Sequence, residues 1–90
     1  MTVHYFATIR TYTGENARTL DDAPATLGLL LETLAARYGT AFRRAVFSGD
    51  ELGGEIIILV DGRNVLYLQG LDTPLTAGNE VSIFPMVAGG

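Results

Sequence analysis

Thr26-Leu27-Gly28-Leu29-Leu30-Leu31-Glu32-Thr33-Leu34-Ala35-Ala36-Arg37-Tyr38-Gly39 decides the fold, because here the patterning of the chain changes to that of a helix. Leu27, Leu30, Leu31, Leu34, Ala35 and Tyr38 fall at i, i+3, i+4, i+7, i+8 and i+11, which is one face of an α-helix. Thr26 suits the N-cap, where a side-chain oxygen accepts from a free backbone N–H of the first turn, and Gly39 suits the position just past the end. An amphipathic helix of this length must bury its apolar stripe against another element.

The sequence on both sides supplies that element as a sheet. Upstream, residues 3–10 alternate, with Val3, Tyr5, Ala7 and Ile9 on one face and His4, Phe6, Thr8 and Arg10 on the other, the pattern of a first strand. Thr13-Gly14-Glu15-Asn16 is a turn signal, and Ala17 to Leu20 reads as the second strand of a hairpin. Downstream, residues 41–47 suggest a short helical turn and residues 48–54 a glycine-rich loop. Ile56-Ile57-Ile58-Leu59-Val60 has no polar face, as expected of a strand at the centre of a sheet or covered on both sides. Asp61 to Asn64 is a turn, Val65 to Leu68 a short strand, Gly70 to Leu75 an irregular connection, and Val81 to Phe84 the last strand, ended by Pro85. The order ββαβββ places the helix across one face of a mixed sheet.

Ninety residues form one domain with a modest core. Ten acidic residues against six arginines give a net charge of −4, which argues against nucleic acid or an anionic membrane as partner. There is no cysteine and no lysine. The chain therefore has no thiolate for metal or nucleophilic chemistry, and no side-chain amine to receive an isopeptide bond. The apolar runs are too short to span a membrane and the N-terminus lacks the pattern of a signal peptide, so a cytoplasmic location is the expectation.

An active site of its own is not legible. His4 is the only histidine, Ser48 and Ser82 lack an activating base, and Asp21, Asp22, Asp50 and Glu51 do not follow a calcium-loop pattern. The segment from Gly49 to Gly54 lacks the Lys and Ser/Thr of a phosphate-binding loop. One group remains for covalent chemistry, the carboxylate of the terminal Gly89-Gly90. Glycine carries no Cβ, so this end can lie extended in a narrow channel of a partner.

Three segments combine with this terminus: Val3 to Arg10, Leu59 to Val65, and Gly70 to Leu75 running on through Glu80 to Gly90. On these the chain resembles the ubiquitin-like β-grasp sulfur carriers, most closely the small subunit of molybdopterin synthase. The resemblance implies an α+β fold with a mixed sheet packed on one main helix over residues 1–86, followed by a flexible tail over residues 87–90. It implies a co-substrate and not an enzyme, binding no metal and no cofactor of its own. An E1-like adenylating enzyme would use ATP to convert the carboxylate of Gly90 into an acyl-adenylate. A sulfur donor enzyme would then supply the sulfur that leaves Gly90 as a thiocarboxylate. The molybdopterin synthase large subunit would take that sulfur, with Val87, Ala88 and Gly89 inserted into its channel. By the same resemblance Phe6, Arg10, Leu66 and Phe84 form the partner interface. Where the family has Pro-Pro this chain has Pro85-Met86. Cysteine synthesis, thiamine synthesis, tRNA thiolation and attachment to protein lysines use the same fold and tail and remain open as destinations. So does a non-covalent ubiquitin-fold interaction module.

Overall fold

A computed structural model describes residues 1–86, and Val87, Ala88, Gly89 and Gly90 lie outside the described residues. Along the chain come β1 (Thr2–Tyr5), α1 (Thr8–Thr13), β2 (Ala17–Thr19), α2 (Leu27–Tyr38) and α3 (Thr40–Val46). There follow β3 (Phe47–Ser48), β4 (Glu51–Leu52), β5 (Ile56–Val60), β6 (Arg63–Asn64) and β7 (Glu80–Pro85), with 3-10 turns at Val65–Tyr67 and Gly70–Asp72. Five strands pair in the order β2-β1-β7-β5-β6, while β3 and β4 make a separate small hairpin. β1 runs parallel to β7 and every other pairing is antiparallel, so the sheet is mixed, as expected.

The helix forms for the reasons its sequence gives. The Thr26 side chain accepts from the Leu29 N–H, and the Gly39 N–H closes the last turn on the Ala35 carbonyl. Leu27, Leu30, Leu31, Leu34 and Ala35 are buried. They meet Val3 and Tyr5 of β1, Val81 and Ile83 of β7, and Ile56, Ile58 and Val60 of β5 in one apolar core that also takes Ile9, Phe42 and Val46. All the buried strand residues lie on the helix side of the sheet, so the opposite, outer face carries no helix.

A polar network closes the core at the end of α2. Tyr38 donates its hydroxyl proton to Glu15, which leaves the hydroxyl of Tyr5 to donate to the Tyr38 oxygen at 2.9 Å. Arg18 of β2 completes it with a 2.9 Å ion pair to Glu15. Burial, and then the bond to Tyr38, push the Tyr5 phenol far above its ordinary range. The Tyr38 hydroxyl and then the Arg18 guanidinium hold Glu15 below the usual carboxylate range.

Four expectations are corrected. The first strand stops at Tyr5, and residues 8–13 are helical, because Ala7 takes φ 51° and ψ −129° and turns the chain out of the sheet. Ile9 still reaches the core, now from α1. The segment from Val65 to Leu68 is no strand: Asn64 caps a 3-10 turn by accepting from the Leu66 N–H at 2.9 Å. The glycine-rich stretch contains the β3–β4 hairpin, with Gly49 at φ 62° in its turn. The centre of the sheet is β7 and not β5, and β5 buries only alternate residues, Ile57 and Leu59 being half-exposed. β7 ends at Pro85, as expected, and one bond continues past it, the Met86 N–H donating to the Glu55 carbonyl at 2.7 Å. Backbone N–H groups alternate in direction along a strand, so with Met86 aimed at β5 the missing N–H of Pro85 faces the side on which β1 has already turned away.

Candidate functional site

The outer face of the sheet gathers the apolar side chains that the core leaves out. Cross-strand register places Ile57 opposite Phe84, Leu59 opposite Ser82, and His4 beside Ser82, so these residues share that face. Phe6 follows β1 directly and donates its N–H to the Ile83 carbonyl at 3.1 Å. Its ring stacks on that of Phe84 with centroids 4.4 Å apart and planes 10° from parallel. Both rings are half-exposed, and neither belongs to the core. An apolar surface of this kind, rimmed by polar groups, is where a partner would dock.

Arg10 sits at the edge of this patch. The same turn that ends β1 brings the Arg10 side chain back over the strand, where its Nε donates to the Tyr5 carbonyl at 2.8 Å. Its guanidinium carbon lies 5.7 Å from the centre of the Phe6 ring. That bond fixes the side chain, and its two terminal nitrogens make no hydrogen bond or ion pair among the described residues. Further along the same face, His4 Nε2 lies 3.2 Å from Glu80, a polar contact on the side away from the chain terminus.

Of the residues expected at an interface, the structure therefore assembles Phe6, Phe84 and Arg10. Leu66 stands apart. It is 66% exposed, but the cleft it lines is shared with Leu52, Gly53, Ile58 and Met86, beside the β3–β4 hairpin. Gly90 and the segment from Val87 to Gly89 lie outside the described residues.

Ile57 and Leu59 are the residues that sequence reading missed. Their signal was present in the run from Ile56 to Val60, which has no polar alternation. Such a run is compatible with a strand covered on both faces, and here the outer face is apolar with no described element of this chain over it. Also missed was the pairing of Met86 with Glu55, which holds the last described residue to β5 and delivers the chain from the end of the central strand, next to the Phe6–Phe84 stack. Among the described residues no group of three or more His, Asp or Glu side chains is arranged to hold a metal ion. No helix among them is long and apolar enough to cross a membrane.

Comparison with known proteins agrees with this geometry. A sequence model of the ThiS family matches residues 3–90. Small archaeal modifier protein 3 of Haloferax volcanii is 38% identical over 91 residues, covering 98% of this chain and 96% of that protein. The molybdopterin synthase sulfur carrier subunit of Emericella nidulans is 37% identical over 94 residues, covering 98% and 94%. Among solved structures, a chain of the Amycolatopsis orientalis BexX/CysO complex superimposes with a TM-score of 0.83 at 27% identity, over 99% of this chain and 98% of that one.

Proposed function

Since the chain belongs to the ThiS family, a family of ubiquitin-like β-grasp sulfur carriers, we propose that it carries sulfur as a thiocarboxylate on Gly90 for molybdopterin synthesis. A carboxylate is a poor electrophile, and ATP in an E1-like adenylating enzyme converts it to an acyl-adenylate with release of pyrophosphate. A hydrosulfide equivalent from a sulfur donor enzyme then attacks the acyl carbon, AMP departs with the electron pair of the broken C–O bond, and the thiocarboxylate remains. The carrier is a co-substrate in this scheme, working in the cytoplasm, and the catalytic groups belong to its partners.

The observation that carries the reading is the placement of the apolar outer face. Phe6 and Phe84 stack at the end of the sheet where Met86, the last described residue, is held to β5, so a partner seated on the rings would lie beside the point at which residues 87–90 begin. Val87, Ala88 and Gly89 would then occupy its channel, and Arg10 would meet the rim. On this reading the molybdopterin synthase large subunit and the adenylating enzyme use the same patch in turn. Leu66, exposed in a cleft that Met86 also lines, would meet a partner that extends past the end of β7 toward the β3–β4 hairpin.

Intact mass after incubation with an adenylating enzyme, ATP and a sulfur donor tests the chemistry. Replacing oxygen by sulfur adds about 16 Da, as does oxidation of methionine, so alkylation with iodoacetamide is the deciding step. In a chain without cysteine, an ATP-dependent alkylatable species that disappears when Gly90 is deleted is the thiocarboxylate. Its absence with several adenylating enzymes would favour an interaction module.

A second destination has support of its own in the similarity to a small archaeal modifier protein and to a chain of a BexX/CysO complex. Adducts on target lysines would point to a modifier. Sulfur transfer into a small-molecule acceptor without the molybdopterin synthase large subunit would point to a biosynthetic carrier of the other kind.

A further inference from the structure

The 3-10 turn that follows β6 carries the two most exposed large apolar side chains among the described residues, Tyr67 at 87% and Leu66 at 66%, and Leu68 follows at 36%. None of the three belongs to the core. Folding therefore does not call for them, and in water such a run is a liability unless something covers it. The backbone beneath them is fixed. Val65 is buried, the Asn64 side chain accepts from the Leu66 N–H at 2.9 Å, and the Leu68 N–H donates to the Val65 carbonyl at 3.0 Å. Just beyond, the Gln69 N–H donates to the hydroxyl of buried Thr73 at 3.2 Å. Side chains presented on an ordered turn bind without the entropy cost of ordering a loop.

Strand register sets this turn beside the docking face. β6 runs back along β5 with Asn64 opposite Leu59, so the chain after Asn64 returns toward the end of β5 where Met86 is held. There Leu66 shares a cleft with Ile56, Ile58 and Met86. In the same part of β5, Ile57 stands opposite Phe84, which stacks on Phe6. The row Phe6, Phe84, Ile57 thus crosses the sheet toward the turn. A specific interface takes roughly 800 Å² from each partner, and the half-exposed side chains of Phe6, Ile57, Leu59 and Phe84 supply only part of that.

We propose that Leu66, Tyr67 and Leu68 are a knob at the edge of the docking face, seated in an apolar groove of the same protein that covers Phe6 and Phe84, with the Tyr67 ring as its anchor. No residue from Asn64 to Leu71 is charged, so the matching groove is neutral as well as apolar. An aromatic ring brings a large contact area for the loss of only two side-chain torsions, which suits an anchor. The knob rests on the reading that partners dock on the outer face.

Steady-state adenylation tests it, with pyrophosphate release followed against carrier concentration in an adenylating enzyme that activates the wild-type chain. Tyr67 is solvated, so Tyr67→Ser leaves the domain folded. It should raise KM about tenfold with kcat unchanged, whereas Tyr67→Phe, which keeps the ring, should stay within about twofold of wild type. Leu29→Ser, at a leucine 54% exposed on α2, should change neither constant, and so separates a contact from a general loss of apolar surface. Phe84→Ala reports on the rings in the same assay. A KM that rises in Phe84→Ala but not in Tyr67→Ser overturns the knob and leaves the outer-face reading standing. No rise in either variant overturns both. A rise in Tyr67→Ser alone overturns the shared interface, since the turn then docks without the rings. Sedimentation of the chain alone is the second measurement: a concentration-dependent dimer that Tyr67→Ser abolishes overturns the proposal and assigns the turn to a second copy.

Discussion

Ala7 bears the conformational cost of the aromatic patch. Its φ of 51° with ψ −129° lies where a residue with a Cβ is strained, at a cost of order 1–3 kcal/mol. The same turn starts α1, places Ile9 in the core and folds Arg10 back over Phe6, so strain at one residue sets three others. Ala7→Gly should relieve it, offset by the greater entropy glycine loses on folding, about 0.5–1 kcal/mol. The expected net gain of about 1 kcal/mol appears in thermal unfolding as a Tm higher by about 4–8 °C. An unchanged or lower Tm would show that the turn is unstrained. Glu15 makes a prediction with a sign. Held below its ordinary range by Tyr38 and Arg18, it binds a proton less readily folded than unfolded. Its stabilisation is therefore complete above the unfolded carboxylate range, and is lost as the pH falls through that range to the folded value. Between pH 7 and pH 3 the native chain should lose more stability than Glu15→Gln, measured by urea midpoints at each pH.

Among the elements, the β5–β6 hairpin and the β3–β4 hairpin show how little sequence secures the sheet edge. Asp61 and Gly62, at φ 50° and 82°, form the two-residue loop between β5 and β6. The Asp61 carboxylate also accepts from the Glu80 N–H at 2.8 Å and from the Asn79 amide at 2.6 Å, and so fixes the start of the central strand. Asp61→Ala removes both bonds and should cost about 1–3 kcal/mol, read as a lower urea midpoint with an unchanged slope. At Gly53 a Cβ would stand 2.9 Å from the Ala45 carbonyl oxygen, and the Gly53 N–H bonds the Val46 carbonyl at 2.8 Å. Gly53→Ala must therefore shift backbone against backbone. It should destabilise by about 1–3 kcal/mol in the same experiment, whereas Gly54→Ala, with open space around it, should cost far less.

For the molecule as a whole, the division between the two faces of the sheet separates folding from docking. Phe84 is outside the core, so Phe84→Ala should leave the domain folded, with the loss of one aromatic stack of about 0.5–1.5 kcal/mol. Binding to the partner proposed above, a molybdopterin synthase large subunit, measured calorimetrically, should fall by tenfold or more if the rings form the centre of the interface. Undiminished affinity would move the interface elsewhere. The helix, its caps, the hairpin turn and the apolar run were legible because each depends on short-range spacing and on residues with strong local preference. Periodicity could not reveal that residues 8–13 leave the sheet, since Ile9 and Arg10 continue the alternation of β1 while the break lies in the backbone of Ala7. Nor could it place Leu66, whose neighbours come from β4 and from Met86. The sequence by itself determined the one long helix, the mixed α+β class, the absence of thiol and lysine chemistry, and the Gly-Gly terminus, because these are properties of residue type and of neighbours along the chain. Only the tertiary structure decided that β7 is central, that Phe6 stacks on Phe84 with Arg10 beside them, and that Leu66 shares a cleft with Met86, because each joins residues distant in sequence through strand register and packing.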